Sequence, residues 1–402
     1  VLDKDRGHNQ PMNRRLRLPT INKLRRQLLL GGLAPALGVA ATPGAVAPSS
    51  PERRVPTFPR DHGSHPQTRI EWWYITGHTR AGTGTAERVY GFQLTFFRTR
   101  VEATQQMASN FAARQLLFAH AALSDVTGRR FVHDQRIARQ GFGVAQASEQ
   151  DLDVRLRDWG LVRRNNRYEA RILADDFSLE LDFSATTPVL LQGDQGWSRK
   201  GPQPAQASYY YSHPQLAFEG RIGIAGQRTA VAGAGARGVD SNKFTPVNGA
   251  AWLDHEWSDS LLDPQAVGWD WIGINLFDGS ALTAFRLRDK AGTTLWDGGS
   301  FRHPKLNDGI QPYVFARGET VFQPVRGWKS PRTQTTYPVE WLLRTPAENY
   351  VLRALLDDQE LDSRNSTGAI YWEGLCDLFD SQRQHVGRGY LEMTGYAKPL
   401  VL

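Results

Sequence analysis

Trp252-Leu253-Asp254-His255-Glu256-Trp257, followed by Gly268-Trp269-Asp270-Trp271, is the stretch on which the reading of this chain turns. Four of its twelve tryptophans fall here, interleaved with acids and a histidine. If both segments are β-strands, successive side chains leave by opposite faces. His255 and Trp257 then share one face, and Asp254 and Glu256 the other. Trp269 and Trp271 likewise lie together, with Asp270 opposite them. Such a pattern suits a cavity bounded by indole rings, with acids in or beside it at perturbed pKa.

Outward from this stretch the chain reads as strand after short strand. Aromatic and β-branched runs occur at 69–78, 88–98, 117–124, 167–173, 177–183, 216–224, 269–277, 280–288, 339–344, 350–356, 368–376 and 388–395. Arg80-Ala81-Gly82-Thr83-Gly84 joins the first two as a hairpin. Asp278-Gly279 and Asn307-Asp308-Gly309 are further turn signals. No long helical periodicity competes, so the expectation is an all-β chain of antiparallel barrels or sandwiches. An internal echo favours two consecutive barrels: Glu71-Trp72-Trp73-Tyr74-Ile75 leading to Gly91–Arg98 resembles Trp269–Gly273 leading to Leu282–Arg286. The Gly/Gln/Pro-rich 192–206 and the Ala/Gly/Asn-rich 230–250 read as loops or linker. A boundary near residue 260 divides 48–260 from 261–402.

The first 47 residues stand apart. An Arg-rich stretch carrying Arg25-Arg26-Gln27-Leu28-Leu29, an apolar run from Leu28 to Ala41 and Ala45-Val46-Ala47 before Pro48 read as a twin-arginine signal peptide. The apolar run is too short to span a bilayer. These residues hold eight Lys or Arg and two Asp, so 40 basic and 39 acidic residues remain beyond them, a net of +1 rather than +7. No basic cluster is left to mark a nucleic-acid partner. With one cysteine, Cys376, no intrachain disulfide can form, and that thiol is expected to be a small buried hydrophobe. Periplasmic or secreted localisation follows from the leader.

Other motifs carry little. His62 and His65 have a spacing a metal could use, but no further ligands follow closely, and surface histidines are expected rather than a zinc site. Gly233-Ala234-Gly235-Ala236-Arg237-Gly238 matches GxGxxG without the strand and helix that would give it meaning. No GxSxG is present, so a serine-hydrolase elbow is absent. No cofactor and no metal are expected.

EWWYITGH at 71–78, FAHAALSD at 118–125, YYYSHP at 209–214, AWLDHEW at 251–257, GWDWIGINLFDG at 268–279, YWEG at 371–374 and GRGYLEMTGY at 387–396 together resemble the AttH-like family. That family includes carotenoid 1,2-hydratases (hydroxyneurosporene synthases) and bacterial proteins labelled predicted secreted hydrolases. The resemblance runs from about 57 to 397. It implies a pair of lipocalin-like β-barrels and a hydrophobic ligand cavity, with the family's His-x-Trp pair at His255 and Trp257 and its nearby acid at Asp270. The stretch between Gly226 and Gly249 departs from the family by its length, which puts a remodelled loop at the cavity mouth. This chain is closer to the general secreted branch, for which the resemblance implies no settled reaction.

The residues themselves suit acid-promoted hydration, isomerisation or cyclisation of a C=C in an isoprenoid or lipid, the work of a hydro-lyase. Asp270 between two tryptophans is the first candidate for the neutral proton donor and Asp254 the second. Trp257, Trp269 and Trp271 would face the cation, and His255 would orient or deprotonate the water. Glu71 and Trp73 would line the first barrel's mouth, and Tyr210 would lend a phenol. The competing reading makes Asp254, His255 and Glu256 buried hydrogen bonds and salt bridges that hold the two halves together. A carrier of the same apolar ligand, exchanging it by peripheral contact with a membrane, is the alternative function. A Trp-based protein-interaction module is the third. An enzyme should hold its acids inside the cavity; a carrier should keep them at the rim.

Overall fold

The computed structural model describes residues 53–82, 84, 87–225, 244–260, 262–304 and 311–400. The leader-like segment 1–47, the glycine-rich match at 233–238, the turn at 307–309 and most of the stretch between Gly226 and Gly249 lie outside the described residues. Two antiparallel sheets make up nearly all of the rest. The first contains β1 (Ile70–Ala81), β2 (Arg88–Arg100), β3 (Gln115–Asp125), β4 (Arg130–Arg139), β5 (Ala145–Ala147), β6 (Asp153–Leu156), β7 (Trp159–Arg164), β8 (Arg167–Leu173), β9 (Phe177–Ser184), β10 (Leu190–Leu191), β11 (Trp197–Arg199), β12 (Ala207–Ile224) and β13 (Phe244–Ser260). Its order is β4-β3-β2-β1-β13-β12-β9-β8-β7-β6-β5, with β10 and β11 paired to β12.

The second sheet contains β14 (Gly268–Leu276), β15 (Ala281–Arg288), β16 (Thr294–Arg302), β17 (Tyr313–Val314), β18 (Val321–Lys329), β19 (Thr336–Arg344), β20 (Asn349–Ala354), β21 (Glu360–Asp362), β22 (Ile370–Phe379) and β23 (His385–Met393). It runs β17-β16-β15-β14-β23-β22-β20-β19-β18, with β21 on β22. Each sheet curls around its own core, β6 returning against β3 and β4 in the first, which gives the two lipocalin-like barrels expected. No α-helix occurs among the described residues.

Period-two patterning builds these strands. In β8, Tyr168, Ala170 and Ile172 are buried while Arg167, Glu169, Arg171 and Leu173 are exposed. Strands at the sheet ends are less regular. β4, RFVHDQRIAR, is partly exposed along its whole length, and β18, VFQPVRGWK, carries an internal proline and glycine. Each has a neighbour on one side only, so neither needs the alternation that a central strand shows. Both were missing from the strand pattern read off the sequence, as were β5 to β7 and β16. The short β11 falls inside a stretch read as loop.

Side chains fill both barrels. The first encloses Trp73, Phe92, Phe96, Trp159, Tyr168, Phe183, Tyr211 and Trp257 among others, and the second Ile272, Ile274, Trp341, Trp372, Leu391 and Met393. Cys376 belongs to the second core, as expected, and burial pushes its thiol pKa well up. A third apolar cluster joins the outer faces of the two sheets through Tyr74, Trp252, Trp271, Phe285, Leu375 and Tyr390.

Close strand packing makes one glycine diagnostic. Gly389 of β23 lies between Ile274 and Cys376, and a Cβ there would stand 2.0 Å from the Gly273 carbonyl oxygen and 2.8 Å from the Ile274 Cα. Both are backbone atoms, which cannot swing aside. Gly389→Ala is expected to cost about 1–3 kcal/mol, read as a lower urea midpoint at an unchanged denaturation slope.

Candidate functional site

β1 and β13 form an uninterrupted antiparallel ladder in which Glu71 opposes Trp257, Trp72 opposes Glu256, Trp73 opposes His255 and Tyr74 opposes Asp254. Opposed residues share a face. Glu71, Trp73, His255 and Trp257 therefore enter the first barrel, and Trp72, Tyr74, Asp254 and Glu256 face the second sheet. The same alternation in β14 sends Trp269 and Trp271 toward the first sheet and Asp270 into the second barrel.

Between the outer faces lies a cavity of about 540 Å³. The first sheet supplies Trp72, Tyr74, Thr95, Phe97, Phe118, His120, Tyr210, Asp254 and Glu256; the second supplies Trp269, Trp271, Phe285, Tyr371, Glu373 and Glu392. This open space thus lies between the barrels, whereas the core of each is packed with side chains.

Six carboxyl groups line this cavity, Asp259 and Asp263 beside Asp254, Glu256, Glu373 and Glu392. Asp254 accepts from the Tyr210 hydroxyl at 2.8 Å and from Trp252 Nε1 at 2.7 Å, while Trp271 Nε1 donates to Tyr210 at 3.0 Å. Burial pushes its pKa up to about 7 against these hydrogen bonds. Glu392 keeps part of its surface open to the cavity; burial, with the charges of Asp254 and Glu256 adding and Trp269 opposing, puts it at about 7 as well. Glu373 is pushed well above the usual carboxyl range by burial and by Glu392. Its Oε1 and the Tyr74 hydroxyl each lack a well-aligned hydrogen-bond partner, although each shifts the other's titration. Glu256 is paired with Lys200 Nζ at 3.1 Å and accepts from the Ser208 hydroxyl. The Lys200 ammonium lies over the rings of Phe285 and Tyr210.

A hydrogen-bonded chain crosses the cavity wall at His120. Its Nδ1 is 2.8 Å from the Tyr371 hydroxyl and its Nε2 2.8 Å from Ser366 Oγ, which reaches Gln135 Oε1 at 2.6 Å. Gln135 donates through Nε2 to the Asp362 carbonyl, so Oε1 is an acceptor and Ser366 the donor to it. The chain then runs Tyr371 to His120 to Ser366, leaving the Tyr371 oxygen lone pairs for the cavity. Burial lowers the His120 pKa to about 3, so the ring is neutral.

The other expected site residues lie elsewhere. Glu71 is saturated inside the first barrel: it accepts from Arg98 Nε at 2.7 Å, from His65 through both ring and backbone, from Ser64 and from His255 Nε2 at 2.9 Å. Trp257 stacks on His65 at 3.9 Å and Trp73 on His255 at 4.8 Å. Burial would lower the pKa of His65, but hydrogen bonds to Asp61 and Glu71 more than reverse that. His255 is lowered by its burial, with Glu71 opposing. His62 and His65, expected at the surface, are both buried. Asp270 is fully buried in the second barrel, 2.7 Å from Arg286 Nε and 3.4 Å from Arg288 Nε, with the Tyr396 hydroxyl donating to it at 3.0 Å. Of the expected set, the structure brings Asp254, Tyr210, Trp269 and Trp271 together at the cavity. His255, Trp257, Glu71 and Trp73 form a separate cluster, and Asp270 a third.

His65, Glu71 and His255 offer ligand atoms within 4.8 Å of one another, the donor types a divalent metal takes. The Arg98 guanidinium already occupies the same carboxylate, and a second cation beside it would be repelled. This donor set fits an internal ion-pair network better than a metal.

The AttH-like family model matches residues 49–396. A crystal structure of a protein from Nitrosomonas europaea, described as AttH, is 43% identical and superimposes with a TM-score of 0.75, covering 87% of this chain and 100% of that one. Kievitone hydratase from Nectria haematococca shares the fold at 16% identity and a TM-score of 0.61, covering 87% of this chain and 94% of that one. No curated protein sequence matches.

Two outcomes separate the two clusters. Glu71→Ala strands the buried Arg98 charge and is expected to cost about 3–5 kcal/mol in chemical denaturation. Asp254 and Glu392 have folded pKa values above those of the unfolded chain, so folding favours their neutral forms. Their stabilisation is complete below about pH 4 and is lost as pH rises through about 7. Melting curves should therefore show a fall in stability across that window, about 1.4 kcal/mol for each unit of pKa shift. Asp254→Asn should flatten part of that fall; wild-type and variant curves that run parallel would refute the assignment.

Proposed function

The chain belongs to the AttH-like family, and from that premise we propose that it binds an unsaturated isoprenoid or similar apolar lipid between its two barrels and adds water across a C=C. One observation carries the reading: acids from both sheets line a single aromatic cavity, and two of them, Asp254 and Glu392, titrate near neutrality. A carrier needs apolar walls and has no use for buried carboxyl groups, which are costly to desolvate. The hydratase named among the structural neighbours supports addition of water as the reaction class.

Two interacting carboxyl groups near the same pKa share their protons, so one is neutral while the other is ionised. With Asp254 neutral, its O–H bond breaks as the π electrons of the alkene form a C–H bond, leaving a cation at the second carbon. The faces of Trp72, Trp269 and Trp271 stabilise that charge. Water attacks the cation through its oxygen, and the proton it sheds passes to ionised Glu392. The product is an alcohol, and proton return to Asp254 through cavity water completes the cycle. Hydrogen bonds from Tyr210 and Trp252 hold the Asp254 carboxyl in place throughout. The leader-like first 47 residues support action outside the cytoplasm.

Geraniol or farnesol incubated with the protein in D2O should yield the tertiary alcohol, with deuterium on the neighbouring carbon, seen by mass spectrometry. Asp254→Asn and Glu392→Gln are expected to slow turnover at least about a hundredfold while leaving binding intact. The rate should peak near about pH 7 and fall on both sides, because the active form holds one proton between the pair. Tight binding by the wild type with no deuterium uptake from any unsaturated lipid would instead establish a carrier.

A further inference from the structure

One face of the first sheet continues from the cavity to the molecular surface. Glu256, Trp72, Phe97, Phe118 and Ile137 form a single cross-strand row over β13, β1, β2, β3 and β4. Its first four members line the cavity, and Ile137 is exposed. The adjacent row passes from Ile70 through Thr99 and Leu116 to Arg139. There two loops present Phe111, 72% exposed, and Phe142, 59% exposed, stacked at 5.6 Å. The Arg139 guanidinium lies over both rings, and the exposed Met107 belongs to the same loop as Phe111.

Phe142 is held out deliberately by its backbone. Gly141, Phe142 and Gly143 have φ of 104°, 60° and 68°, three successive residues in the left-handed region. For a bulky residue such as Phe142 this conformation costs on the order of 1 kcal/mol or more, and the ring still stays more than half exposed. Charge completes the patch. Arg139 and Arg114 bond the backbone oxygens of Phe111 and Met107, and no carboxylate pairs with either among the described residues.

Resting on the reading of the cavity as an apolar-ligand site, we propose that Phe111, Phe142, Met107 and Ile137, flanked by Arg114 and Arg139, form a docking patch for an anionic lipid bilayer through which ligand passes to the cavity. Exposed aromatic rings insert at the headgroup level, and guanidiniums whose charge no carboxylate of the described residues neutralises meet lipid phosphates. The apolar row from Ile137 to Trp72 gives the ligand a continuous surface to follow inward.

The test is co-sedimentation with vesicles of phosphatidylglycerol and phosphatidylethanolamine in equal parts, alongside vesicles of phosphatidylcholine alone. The wild type should bind the anionic vesicles, less so as salt rises. Phe111→Ser with Phe142→Ser should lose at least about tenfold in partitioning, and Arg139→Gln about fivefold. Circular dichroism and thermal melts matching the wild type would show these exposed substitutions leave the fold intact. Absence of wild-type binding, equal binding to phosphatidylcholine, or unchanged binding by the double variant would overturn the proposal. So would a concentration-dependent dimer abolished by the same variants, which would make the patch an interface between copies. Quenching of cavity tryptophans by farnesol added from solution separates this from the cavity reading. The double variant should fill its cavity normally from solution and only slowly from vesicles, whereas failure of the wild type to take up farnesol would sink the cavity reading while vesicle binding still decides this one.

Discussion

The ladder between Ile70–Thr79 and Gly249–Ser258 is the constraint on which the rest of the molecule depends. It sorts two chemically different sets of side chains, charged and aromatic in both cases, onto opposite faces of one sheet. A slip of β13 by one residue would carry Asp254 and Glu256 into the packed barrel and push His255 and Trp257 toward the cavity, away from Glu71. The register is secured from within, because Glu71 can satisfy Arg98, His65 and His255 together only when β1 and β13 are paired as they are. The buried ion-pair network therefore places the cavity acids without touching them.

Much of this was legible in the residues, and the part that was not has a physical reason. Alternation sorted Asp254 from His255 and Asp270 from its flanking tryptophans correctly. The error lay in taking neighbours along the chain for neighbours in space: Trp269 and Trp271 flank Asp270 in sequence, and for that reason face away from it in a strand. Periodicity also gives no absolute sense of direction, so it could not say which face of β13 meets the other sheet. Glu373 and Glu392 were missed although both stand in motifs that resemble the family, Tyr371-Trp372-Glu373-Gly374 and Gly387–Tyr396. Nothing local marks them as partners of Asp254, since their approach to it is a consequence of how the two sheets dock.

The three charged clusters divide the labour. In the first barrel, Glu71 with Arg98 and His65 balances acid against base, and in the second, Asp270 is matched by Arg286 and Arg288. At the cavity the balance is incomplete: Lys200 answers Glu256, while Asp254, Glu373 and Glu392 have no ion-pair partner among the described residues. Burial without a counter-charge is what lifts a carboxyl toward neutrality. The same residue type is therefore ion-paired in two places and, at Asp254, Glu373 and Glu392, pushed toward its neutral form in the third, according to whether a guanidinium is within reach.

Because the cavity is walled by the outer faces of two separately packed barrels, it exists only while those faces are apposed. Ligand occupancy and apposition are then thermodynamically linked: a molecule bound between the barrels resists their separation by RT ln(1 + [L]/Kd), and anything that loosens the contact weakens binding by the same free energy. Each sheet supplies only one wall of the cavity, so its shape and polarity are properties of the seam. A substitution on either wall would change the lining of the cavity without disturbing the core of the other barrel, so the two-barrel plan separates the demands of folding from those of the seam.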